Sequence, residues 1–269
     1  MNDFFELALS SRLLIFLSLF VAFSGLEILF PAYKFGKHRR ERWPTNIGLT
    51  LLNSLLTRAL VFVATIQVAS WAKEEGFGLF FFLFEEDSII ANIISIALLD
   101  FIIYWQHRFF HKLDFFWKFH KVHHSDEGFD VTTGFRFHPI EIVFSLMIKA
   151  FAVIVFGIDP LSVLIFEIIL SSMALFNHGN YSLGLKVDHF ARLLIVTPDM
   201  HRIHHSNLNE ETNANFGFNL SLWDRIFGSY KKQSNYGVKS IVIGIANQPV
   251  ISHLGHALKL PFEKRSLDD

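Results

Sequence analysis

Apolar runs of bilayer-crossing length recur along this chain, and nothing else in it limits the fold so strongly. Leu13 to Phe30 is interrupted only by serines, Gly25 and Glu27. A run of that length can span the hydrocarbon core as a helix. Ile47 to Ala72 reads as a second span despite Arg58, and Ile89 to Tyr104 as a third. Ile140 to Phe156 and Leu161 to Phe176 read as a fourth and fifth, parted by the turn Gly157-Ile158-Asp159-Pro160. A cleaved signal peptide is the competing reading of the first run. It is disfavoured because the run exceeds an ordinary signal core, Asp3 and Glu6 stand where a basic region belongs, and no A-x-A site follows. The expected fold is an all-α integral membrane protein of four to five hydrophobic helices with a helical cap. No linker or fixed-period repeat divides it, so residues 1–269 read as a single membrane domain.

Loop charge predicts the orientation. The 33–45 loop holds Lys34, Lys37, Arg39, Arg40 and Arg42, whereas the 73–88 loop holds Glu74, Glu75, Glu85, Glu86 and Asp87 against one lysine. Basic loops stay in the cytoplasm. The first loop is therefore expected inside and the second outside. Residues 107–138 and the last third of the chain then fall on the cytoplasmic side. In a bacterium this is the inner membrane; in a eukaryote the reading is the endoplasmic reticulum. The segment Gly76 to Phe84 is too short to span and is expected in the interface.

That cytoplasmic side collects the histidines. Eleven of the fourteen lie between His107 and His205, and eight fall into three clusters: His107/His111, His120/His123/His124 and His201/His204/His205. Residues three and four apart share a helical face, so each cluster is expected to aim its imidazoles at one point. Eight imidazoles are too many for one metal and suit two. Cys is absent, which leaves His and carboxylate as ligands and excludes zinc-thiolate, iron–sulfur and thiolate-haem sites. The net charge of -1 offers no basic excess for nucleic acid.

Several residues extend the site. His178, beyond the fifth run, is a ninth candidate ligand or a support for one. His138, opening the fourth run, reads as a helix-start or gate residue more than a ligand. Asp100 shares a helical face with Tyr104, His107 and His111 and is expected to orient a ligand imidazole; the alternative is an ion pair with Arg58 or another basic group. Thr197-Pro198 reads as a helix cap and first turn, which starts a fresh helix for His201. His38, His189, His253 and His256 lack clustered partners and are expected at interfaces. Imidazole suits zinc, copper, iron and nickel alike. Yet no H-E-x-x-H motif is present and a zinc hydrolase needs only three ligands. Two irons with positions open to O2 fit the count better. A metal-transport protein is the other alternative, disfavoured because the histidines sit at span ends rather than in mid-span.

The string Asp100-x3-Tyr104-Trp105-x-His107-Arg108-x2-His111, then His120-x2-His123-His124, His178-x-Asn180, Thr197-Pro198-x2-His201-x2-His204-His205, Asn215-Phe216-Gly217 and Trp223-Asp224-Arg225 resembles the fatty acid hydroxylase superfamily, also called the sterol desaturase family. The resemblance covers roughly residues 96–232, the expected catalytic region. It implies a non-haem di-iron monooxygenase or desaturase of lipid biosynthesis, with O2 as co-substrate and a fatty acyl chain or sterol as substrate. It also implies ligand roles for the eight cluster histidines and His178, a site role for Asn180, and an anchoring role for Asp224. The sequence shows no cytochrome b5-like haem domain, so electrons are expected from a separate donor protein. Oligomeric state is not legible in the sequence.

Overall fold

The structure is a computed structural model that describes residues 2–34, 39–60, 65–85, 88–237, 240–248, 251 and 253–263. It is helical throughout: α1 (Asn2–Leu29), α2 (Arg39–Ala59), α3 (Thr65–Glu74), α4 (Leu79–Leu83), α5 (Ile89–Lys112), α6 (Asp114–His124), α7 (Pro139–Phe156), α8 (Pro160–Asn177), α9 (Leu185–Ala191), α10 (Pro198–His204), α11 (Asn209–Thr212), α12 (Leu222–Ile226) and α13 (Leu254–Lys259). Among the described residues there is no β-ladder, only two isolated bridges, Ile195 to Leu220 and Ser206 to Ile243.

Among the described residues, four segments are long and apolar enough to cross a membrane: Ser10–Leu29, Ile89–Lys112, Pro139–Phe156 and Pro160–Asn177. They carry outward-facing Leu14, Val21, Leu29, Ile89 and Phe151, each at least two-thirds exposed. Helices apolar on every face suit a lipid solvent rather than water. Where they meet, Leu99, Ile103, Val153, Val163 and Phe166 form a buried core with Ile66 and Ala69 of α3. The turn between α7 and α8 is made by Gly157, whose φ of 66° is left-handed. Pro160 then opens α8, with Asp159 accepting from Leu161 N at 2.8 Å.

The expected second span is corrected. Ile47 to Ala72 is not one helix, because α2 ends at Ala59 and α3 begins at Thr65. Arg42, Thr45, Asn46 and Asn53 of α2 are buried. They face the 126–137 segment, where Asn53 Nδ2 donates to Phe137 O at 2.9 Å and Arg136 to Asn46 Oδ1 at 2.7 Å. So the buried polar face of α2 serves the cap. The third run, in contrast, outlasts its apolar stretch: α5 continues to Lys112 and carries His107 and His111 on one unbroken helix.

Candidate metal centre

Three helix ends converge on one face of the bundle. The C-terminal end of α5 presents His107 and His111, α6 folds back after Leu113, and α10 starts behind its Thr197 cap, whose Oγ1 accepts from Met200 N at 3.3 Å. The end of α8 adds His178.

Nine imidazoles form two groups, and within each group the candidate ligand atoms lie within 4.8 Å of one another. The first is His107, His111, His120, His124 and His204; the second is His123, His178, His201 and His205. The expectation that each cluster aims at one point holds for His107/His111 and is corrected for the other two clusters. At 3.6 residues per turn, successive side chains diverge by about 100°, whereas i and i+4 nearly superimpose. His120 and His124 thus serve the first group while His123 turns to the second. In α10 the i, i+4 pair His201/His205 serves the second group and His204 the first.

The donor set suits a cation. His107 Nδ1 lies 2.8 Å from Phe216 O and His204 Nδ1 lies 2.7 Å from Ala214 O. A carbonyl only accepts, so both Nδ1 atoms carry the proton and both Nε2 atoms present lone pairs. Those two Nε2 atoms face each other at 3.0 Å. A shared proton is disfavoured, since burial pushes His204 down to about 3. In the second group His178 Nδ1 donates to Ala174 O at 2.8 Å. Its Nε2 lone pair faces His201 Nε2 at 3.0 Å and His123 Nε2 at 3.3 Å, and burial pushes His178 down to about 4. Burial and neighbouring imidazoles hold His123, His124, His201 and His205 well below the ordinary histidine value. His111 Nε2, His120 Nε2 and both ring nitrogens of His124 and His205 are buried without a hydrogen-bond partner among the described residues. Orphaned neutral imidazoles aimed at two points fit two metal ions.

The surroundings fix tautomers. His120 Nδ1 donates to Glu141 Oε1 at 2.6 Å, leaving Nε2 for the metal. Glu141 sits in the first turn of α7 and is the lone carboxylate of that apolar helix. A single acidic residue heading an apolar run was the available signal, and sequence reasoning assigned it no role. The two carbonyls that hold His107 and His204 flank Asn215, whose φ of 55° turns the chain between them. Asn215 Nδ2 donates to Met200 O at 3.1 Å and to Lys231 O at 3.0 Å. Asp224 accepts from Phe216 N at 2.7 Å, Gly217 N at 2.8 Å and Ser229 Oγ at 2.7 Å. It therefore steadies the carbonyl that orients His107, one bond removed from the ligand.

Two other expected site residues lie elsewhere. Asp100 reaches neither an imidazole nor Arg58; it accepts from Trp223 Nε1 at 2.8 Å and Leu220 N at 3.2 Å. The helical face was read correctly, but the 219–223 loop fills the space before it. Asn180 pins the chain leaving α1, accepting from Tyr33 N at 3.1 Å and donating to Tyr33 O at 2.9 Å. His138 belongs to neither imidazole group and caps α7, accepting from Ile140 N at 3.2 Å. His189 and His253 are exposed, and His38 lies outside the described residues.

A cavity of about 560 Å³ opens onto both groups, touching His107 and His120 of one and His123 and His201 of the other. Its walls include Ile103, Phe110, Phe137, Ile142, Leu146 and Phe218. Of the phenylalanines from 109 to 119, only Phe110 lines it. Phe115, Phe116 and Phe119 pack on Phe144 instead.

The family model for fatty acid hydroxylase matches residues 92–229, just over half of the chain, and the protein belongs to this family. Among its relatives, ornithine lipid hydroxylase OlsE of Rhizobium tropici is 29% identical over 175 residues, covering 64% of this chain and 50% of the relative. Alkylglycerol monooxygenase of Xenopus tropicalis is 29% identical over 147 residues, covering 52% of this chain and 31% of the relative. Very-long-chain aldehyde decarbonylase GL1-4 of Oryza sativa subsp. indica is 21% identical over 184 residues, covering 65% and 29%. The chain thus spans half or less of the length of these relatives. No solved structure gives a significant match.

Proposed function

We propose that this protein is an O2-dependent oxidoreductase that hydroxylates a membrane lipid, using two irons held by the nine imidazoles. One observation carries the reading: two all-histidine groups share a single apolar-walled cavity inside a bundle of candidate membrane helices. Relatives named as lipid hydroxylase and alkylglycerol monooxygenase support a lipid substrate. Residues 96–232 form the catalytic region, and the site lies on the cytoplasmic side, as the loop charges favour. A separate protein supplies electrons.

Bound iron would supply O2 activation for attack on an unactivated C–H bond. The chain's part is placement. Glu141, Phe216 O, Ala214 O and Ala174 O each hold one imidazole proton and so present the opposite nitrogen inward. The cavity walls keep water from the reacting carbon and lay the lipid against both groups.

Turnover under isotopically labelled O2 tests the reading. Label in a hydroxylated lipid, together with dependence on added reductant, is expected. An unlabelled alkene formed only with O2 would make the protein a desaturase. Product formed without O2 would end the oxygenase reading.

A further inference from the structure

The end of the cavity remote from the imidazoles carries charges that the oxidation chemistry does not use. Arg12 of α1 and Lys149 of α7 meet Glu167 of α8 there, and Arg58 of α2, five residues beyond the Asn53 contact with Phe137, also lines the cavity. Glu167 is buried and already shared: it pairs with Arg12, accepts from Thr65, and lies 3.1 Å from Lys149 Nζ. Arg58 is exposed and has no ion pair among the described residues. Three cations thus face one carboxylate. At membrane depth ionisable groups are expensive and persist where they serve function. Among the described residues no carboxylate offsets the excess of two positive charges at this end, and an anion from outside is a natural partner for it.

We propose that this end of the cavity binds the anionic head of an amphipathic lipid, a carboxylate or a phosphate, and thereby selects which carbon meets the metal centre. The proposal rests on the lipid-oxidation reading and deepens it. Lys149 follows Glu141 by eight residues on α7, about 12 Å at the helical rise of 1.5 Å per residue. Glu167 precedes His178 by eleven residues, about 16 Å by the same rise. Between the two ends lie Ile142, Leu146 and Phe137, walls suited to an alkyl chain. A head clasped by Arg58 and Lys149 leaves a fixed length of chain before the imidazoles. Oxidation is then counted from the head, and lengthening the methyl end does not move it.

Binding tests this without turnover. The iron-loaded protein in phosphatidylcholine nanodiscs is titrated with radiolabelled dodecanoic acid, dodecanoic acid methyl ester and dodecyl phosphate. The acid or the phosphate should bind at least tenfold more tightly than the ester, and the preferred one names the head group. Arg58→Gln and Lys149→Gln should each weaken that anion about tenfold, leaving ester binding and iron content unchanged. Arg58 makes no ion pair in the fold among the described residues, so its variant also guards against misfolding. Glu167→Gln should tighten anion binding by removing the competing carboxylate. Equal affinity for acid, phosphate and ester, or unchanged anion binding in both cation variants, would overturn the proposal and make the cluster a structural ion network. Head-group-dependent binding in a protein without O2-dependent turnover would uphold the anion site while ending the oxygenase reading. Hydroxylation of neutral lipids without head-group discrimination would do the reverse.

Discussion

Replacing Arg42 with methionine should cost the fold about 3 kcal/mol, the lower end of the cost of breaking a buried ion pair. Arg42 sits on α2 with its guanidinium buried in the cap. Its Nε and Nη2 reach the two Asp126 oxygens at 2.5 and 2.9 Å, and Nη1 reaches Asp130 Oδ2 at 2.8 Å. Gly128 is packed so closely that a Cβ there would lie 2.2 Å from the guanidinium carbon. Methionine keeps most of the stem's bulk but strands two buried carboxylates. Asp126 would retain Asn46 Nδ2 at 3.0 Å and Thr133 Oγ1 at 2.8 Å, and Asp130 would retain Trp43 Nε1 at 3.1 Å. Those donors keep the loss at the lower end. At roughly 2 °C per kcal/mol for a chain of this size, Tm should fall by about 6 °C. Differential scanning fluorimetry of parent and variant in one detergent reads the shift. Adding Asp126→Asn to the variant should recover part of it, since the stranded charge is then removed. A variant melting within about 1 °C of the parent would refute the reasoning, because the charge cluster would then contribute nothing to joining α2 and the cap.

Glu141→Gln should lower iron affinity or activity roughly 10- to 100-fold, the usual effect of weakening the partner of a metal-bound imidazole; iron titration against a competing chelator measures it, and unchanged affinity would count against the role of the 2.6 Å contact with His120. Asp224→Ala should destabilise the fold by about 1–3 kcal/mol, because the Phe216 and Gly217 N–H groups lose their acceptor; a melting curve unchanged from the parent would argue otherwise. Topology reporters after Arg40 and at the C-terminus should read cytoplasmic and one at Glu86 external; an external C-terminus would break the orientation drawn from loop charge.

Much of the architecture was legible because it follows from local pattern. Gly157 and the Asp159-Pro160 cap mark the α7–α8 turn in the sequence as clearly as in the structure, and Thr197-Pro198 opens α10 as its capping chemistry requires. The histidine spacing also pointed to a paired site, and the imidazoles do divide into two groups. What it did not foretell depends on tertiary partners. Helical geometry separates His123 from His124, but which histidines of α10, α5 and α8 complete each group is settled by where those helices lie. Asp100 faces the expected side of α5, yet its acceptor role goes to Trp223, more than a hundred residues away in the chain. Asn180 stands beside His178 in the sequence, but its side chain binds the segment after α1. The run from Ile47 to Ala72 looked like one span because hydropathy averages over its buried polar face, which only the cap reveals as a docking surface.

Metal stoichiometry tests the central claim most directly. Protein purified anaerobically and analysed by inductively coupled plasma mass spectrometry should carry about two iron atoms per chain, one for each imidazole group. His204→Ala should lower that number through the first group, and His201→Ala through the second, while both variants still insert into the membrane. A chain holding a single zinc, or keeping two irons in both variants, would contradict the account.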